Sequence, residues 1–237
     1  MGNENGEWIM RGMAWDDPRR LRTWRAVIDR VNEVGFLPLF KNGIAGFSVE
    51  EQVSDLFWWT GDPEQDPWEW REMIARSGEV AYGKFFGGKA GFVSKEWFPH
   101  LANYRRDGYD FDARWEDEKA SARCKKIMDR FLEEDELPSK LLRQLAGFGK
   151  GGEKNFDGTV TELQMQTYLI IRDFRRRKNK MGMEYGMPVS VFSTPEALWG
   201  YEHISSAYSF SPEESLALVE KQIFRHFPVD KRAGKII

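Results

Sequence analysis

Six basic residues crowd the stretch IIRDFRRRKNKMGMEYGMPVSVF at positions 170–192: Arg172, Arg175, Arg176, Arg177, Lys178 and Lys180. Guanidinium and ammonium groups at this density neutralise phosphates and release counterions, so the chemistry they suggest is polyanion binding. Apolar, β-branched and aromatic runs flank the charges, which predicts a strand–turn–strand ribbon. A solvated hairpin without a ligand is the plain alternative. Pro188 removes a ladder donor and belongs at an edge or a bulge of the second strand. The stretch GFGKGGEKN, 147–155, adds Lys150 and Lys154 in what reads as a flexible loop. Its backbone N–H groups could cradle a phosphate, but it lacks the leading strand and the closing Lys-Ser/Thr of a Walker loop.

Two glutamines, Gln164 and Gln166, fall on the predicted helix before the ribbon. A Gln side chain can pair bidentately with adenine in the major groove, so either could face a groove. A third constellation is FWWTGDPEQDPWEWREM, 57–73. Trp58, Trp59, Trp68 and Trp70, with Asp66 beside them, could line a pocket that stacks an extruded base while a carboxylate activates water. Arg105 and Arg106 could join that pocket, or form a surface turn. The tryptophans could equally be a packing joint between helices. Three scattered histidines, His100, His203 and His226, lack metal-ligand spacing,. Cys124 has neighbouring lysines that could lower its pKa but no second Cys or His,. We therefore expect no metal and no cofactor, and no catalytic residue is assigned.

These residues need elements to hold them. Leu21, Trp24, Ile28 and Val31 recur at helical spacing before Gly35,. Ser48 with Glu51 forms a capping box that predicts a helix carrying Val49, Val53 and Leu56 on one side,. Asp66 and Pro67 open the next helix. Two strand-like runs around Gly87-Gly88 predict a hairpin. A helix follows after Pro99 and stops at Gly108, and DGYDFDARW reads as loop. From 113 to 134 the apolar stripe is Ile127, Met128 and Phe131, followed by a short helix with Leu141, Leu142 and Leu145. Thr159 with Glu162 predicts a capped helix with Val160, Leu163, Tyr168 and Ile171 inside. Thr194-Pro195 and Ser211-Pro212 open the last two helices.

The 237 residues carry a net charge of −3, yet residues 139–180 alone are +6, leaving −9 for the remainder. One basic face on an acidic body is the implied arrangement. The apolar fraction of 41% suffices for a core, and no apolar run is long enough to span a membrane,. The single cysteine fits a reducing compartment, and the polar start lacks a signal peptide, so a cytoplasmic location is expected.

The segment AYGKFFGGKAGFVSKEWFPHLANYRRDGY resembles a segment of the AlkZ/YcaQ winged-helix family of DNA glycosylases, where a strand with a W-G-H-x-A core precedes L-P-x-x-x-x-P-x-L-R. Gly87-Gly88-Lys89-Ala90 and then Ser94–Arg105 take those places. TELQMQTYLIIRDF and EYGMPVSVFSTPEAL are similar to that family's helix, wing and following strand. The resemblance covers about 80–200 and implies a winged helix and nucleic-acid binding. It departs at the family's water-positioning Gln pair. Gln164-Met165-Gln166 lies within a helix, where residues two apart point about 200° from each other, and no such pair stands before residue 80.

Together these features predict an α+β, mainly helical protein. An N-terminal helical region with one hairpin would span 1–114, a winged helix with a helix-turn-helix and basic β-ribbon 115–205, and a C-terminal helix 206–237. DNA is the expected partner and the membrane is not. Arg175, Arg176, Arg177, Lys178 and Lys180 would hold phosphates. An active glycosylase and a protein–protein module are the alternatives.

Overall fold

A computed structural model gives the architecture and describes residues 2–4 and 7–227, with side chains from residue 9 onward except those of Arg177 and Lys178. The chain is α+β, with helix covering under half of it. It divides into two compact units, one of Met1–Phe98 with Ala217–Ile237 and one of Pro99–Leu216. No helix among the described residues is long and apolar enough to cross a membrane.

The first unit begins with the short strands β1 (Gly2–Glu4) and β2 (Glu7–Ile9), then α1 (Trp24–Val34), β3 (Phe36–Pro38), α2 (Val49–Gln52), α3 (Pro67–Ser77), β4 (Val80–Phe86) and β5 (Lys89–Ser94). Thr23 caps α1 by accepting from Ala26 N–H at 3.2 Å, and Gly35 stops it at φ 86°. Strands β3, β5 and β4 are antiparallel neighbours, with Gly87-Gly88 turning the predicted hairpin. Gly91 on β5 must be small: a Cβ there would stand 2.7 Å from Pro38 Cα on the neighbouring β3 and 2.4 Å from the Phe86 ring. The core of this unit buries Val27, Ile28, Val31, Phe36, Trp70, Ile74, Phe85 and Phe92. One prediction is shortened. The Ser48/Glu51 box forms, but α2 ends after four residues and Leu56 is 63% exposed.

The second unit holds most of α4 (Phe98–Arg106), then α5 (Phe111–Glu116), α6 (Ala122–Met128), β6 (Glu136–Pro138), α7 (Ser139–Leu145), α8 (Phe156–Met165), β7 (Ile170–Lys178), β8 (Glu184–Ser193), α9 (Pro195–Trp199) and α10 (Tyr201–Ile204). The chain closes with α11 (Pro212–His226), opened by the reciprocal Ser211/Glu214 bonds. Strand β8 lies between β7 and β6, antiparallel to both. Three expectations change here. The DGYDFDARW loop contains α5, because Asp110 accepts from Ala113 N–H at 2.9 Å and Phe111 is buried. On α7 only Leu142 is buried, while Leu141 and Leu145 face solvent. Helix α8 starts three residues before Thr159, whose hydroxyl donates back to Asn155 O at 2.9 Å inside the helix. The same helix stops at Met165, so Ile171 is packed from a strand.

Candidate nucleic-acid interface

The ribbon is built by a gradient of side-chain types. Strand β7 begins with buried Ile170 and Ile171, and β8 ends with buried Val191 and Phe192. The opposite end is exposed: residues 175, 176 and 184–187 all face water. Pairing shifts register between Arg175 and Arg177, so Gly186, Met187 and Pro188 fall in an irregularity where a missing N–H costs no ladder bond,. Asn179 fixes the turn, its Oδ1 accepting from Met181 N–H at 2.9 Å and Met183 N–H at 3.0 Å.

The basic residues of the ribbon differ in how they are committed. Arg175 donates from Nε to Asp173 at 2.9 Å and pairs through Nη2 with Glu136, so it clamps β7 to β6. Burial works against its charge, but these carboxylates outweigh that and raise its pKa. Arg176 is exposed and donates to Gly186 O at 3.1 Å, and Lys180 is exposed. The side chains of Arg177 and Lys178 lie outside the described residues.

The loop 147–155 is tied together by its own backbone hydrogen bonds. Glu153 N–H donates to Gly147 O at 2.9 Å, Gly149 N–H to Glu153 O at 3.1 Å, and Gly152 N–H to Gly149 O at 3.1 Å. Phe148 is buried and meets the Phe156 ring edge-on at 5.4 Å, which anchors the loop. Lys150 and Lys154 are exposed on it.

The base-reading assignment is revised. Gln164 is 1% exposed and donates from Nε2 to Val160 O at 2.9 Å, so burial takes it off the outer face. Gln166 caps the C-terminus of α8 and lies 3.5 Å from Glu162. Helix α8 carries Asp157 and Glu162 exposed, and its ten residues include no cation.

The tryptophan stretch packs within the first unit. Trp58 and Trp68 both flank Phe40, at 5.6 and 6.4 Å between centroids, and buried Trp70 donates to Pro63 O at 3.2 Å. Trp59 is exposed at φ 58°. Asp66 is fully buried as a cap, accepting from Gly61 and Trp68 N–H at 2.9 and 2.8 Å. Its lone pairs serve the backbone, which leaves it a structural role.

Arg105 is half-buried and Arg106 buried, both packed within the second unit. Arg105 donates to Met165 O at 2.9 Å, at the end of α8. Arg106, 1% exposed, donates to Glu196 Oε1 at 2.5 Å, Tyr208 Oη at 3.3 Å, Thr167 Oγ1 at 3.2 Å and Thr167 O at 2.8 Å. Burial opposes the charge, yet Glu196 and Tyr208 more than restore it and raise the pKa. Thr167 is a non-glycine residue at φ 65°, so this guanidinium holds the strained joint between α8 and β7. Cys124 is buried, and burial pushes its thiol pKa up, which removes the activation that neighbouring lysines suggested.

One cavity escaped sequence reasoning. Phe111, Tyr168 and Tyr201, with Asp112, Asp129 and Glu196, line a space of about 230 Å³ in the second unit. Its members are spread along the chain from 111 to 201, so no spacing rule could have gathered them.

No curated protein and no solved structure matches the chain. A family model described as AlkZ related matches residues 21–235, nearly the whole length, and the chain belongs to that AlkZ-related family.

Proposed function

We propose that the chain binds double-stranded DNA, with residues 122–193 acting as a winged helix. The order α6, β6, α7, α8, β7, β8, with β6 paired to β8, fits that layout,. Membership in a family described as AlkZ related agrees with a DNA partner. The observation that carries the proposal is the ribbon itself: anchored by buried aliphatics at one end, it projects exposed Arg176 and Lys180 at the other.

The electrostatics favour a particular mode. Sinking α8 into a major groove would bring Asp157 and Glu162 towards phosphates. Contacts therefore run through the ribbon and the 140–154 segment, and they read backbone rather than sequence. Replacing Arg176 and Lys180 together with Ala should weaken duplex binding in fluorescence anisotropy. The slope of log affinity against log salt should fall by about two. Unchanged affinity and slope would remove the ribbon from the interface.

Base removal is a second reading, favoured by the aromatic and acidic cavity around Tyr168. Its volume falls below the roughly 300–1,000 Å³ of drug-sized ligand sites, which suits a single planar ring system. Abasic sites should then accumulate in alkylated duplex, and Asp112→Asn should slow their formation. No product above a protein-free control would reject this reading.

A further inference from the structure

We infer that the α7–α8 loop, with Lys140 and Lys150, is a site for a single phosphate group. In the DNA-binding proposal, on which this rests for its ligand, that group is a backbone phosphodiester. The loop and the end of α7 enclose an open depression of about 490 Å³ lined by Lys140, Arg143, Gln144 and residues 147–152. Three cations line it and no carboxylate does. Arg143 is held by both oxygens of Asp157 at 3.0 Å, whereas Lys140 and Lys150 meet no partner among the described residues. The N–H groups of Lys150 and Gly151 likewise meet no acceptor there. Successive amides of this kind, between glycines at positive φ (Gly149 at 152°, Gly151 at 82°), can bind an anion concavely,.

The loop is also pre-shaped. A Cβ on Gly152 would stand 2.2 Å from Gly147 O, so glycine is required for the backbone to fold over itself. Lys126 pairs with Glu153 at 2.5 Å and braces its far side. Positioned this way, the donors need no ordering when an anion arrives.

Two measurements on the full chain test the site. Titration of labelled protein with inorganic phosphate should shift the amide resonances of Lys150 and Gly151 saturably, and those of the ribbon turn far less. In duplex binding, Lys140→Ala with Lys150→Ala should lower the salt slope by about one. Gly152→Ala, which leaves every charge in place, should weaken binding as well. A linear, unsaturated shift with phosphate overturns the site. So does a duplex slope unaffected by the paired lysine variant while the Arg176/Lys180 variant still lowers it. Saturable phosphate binding without any duplex binding supports the loop site and rejects the DNA proposal.

Discussion

Arg106→Met offers the sharpest test of how the second unit is assembled. The methionine fills similar volume but abolishes four hydrogen bonds, to Thr167 Oγ1, Thr167 O, Glu196 and Tyr208. The two hydroxyls can rotate to new partners or water. Thr167 O and the Glu196 carboxylate cannot both do so, since Thr167 is fully buried and the Glu196 side chain is only 27% exposed. Bonds to a charged group are worth about 1.5–3 kcal/mol each, and stripping one partner from a buried pair costs about 3–5 kcal/mol. At roughly 2–4 °C per kcal/mol for a chain of this size, Tm should fall by roughly 6–20 °C in a circular-dichroism melt. Arg106→Met combined with Glu196→Leu should recover part of that loss, because it removes the orphaned carboxylate. A single-variant loss under about 1 kcal/mol, the ordinary size of a point substitution, would refute the idea that this guanidinium holds the α8–β7 joint.

Two further outcomes follow from polar side chains packed into the fold, half-buried His100 and buried Asp66. His100, with Nδ1 3.3 Å from Ser215 Oγ and its ring edge-on to Phe210, has its pKa lowered by burial. The unfolded chain then takes up a proton first, near pH 6.5. The contribution is fully present above that pH and lost as pH falls through it towards the lower folded value. His100→Gln should flatten urea-derived stability across pH 5 to 7, and an unaltered pH profile would contradict this. Asp66→Ala removes the acceptor for two backbone N–H groups, Trp68 at the start of α3 and Gly61 in the loop before it. Each orphaned donor costs about 1–3 kcal/mol, so a loss near 2 kcal/mol or more is expected, and a shift within 0.5 kcal/mol, as at ordinary surface sites, would deny Asp66 its capping role.

Local chemistry was legible wherever it acts over three or four residues. Ser48, Asp66, Thr194 and Ser211 each cap the helix their spacing announced, and Thr23 caps α1 without having been singled out. The Gly87-Gly88 hairpin and the 170–192 ribbon appear where alternation and turn residues placed them. Strand β6 was not legible: three residues with a proline carry no period, and they are a strand only because β8 offers them a ladder. Gln164 looked like an outward base reader by side-chain type alone, although four residues after Val160 it falls on the buried face of α8,.

Amino-acid order by itself fixed the separation of charge, the capped starts of four helices and the projecting basic ribbon, because these rest on side-chain type and short-range hydrogen bonding. Tertiary structure alone decided which cations remain available. Arg105, Arg106 and Arg175 read in sequence like Arg176, yet the first two are consumed by Met165, Thr167 and Glu196, and the third by Asp173 and Glu136. Those partners lie far along the chain, apart from Asp173, and a charge is neutralised by what packs against it rather than by its neighbours in sequence.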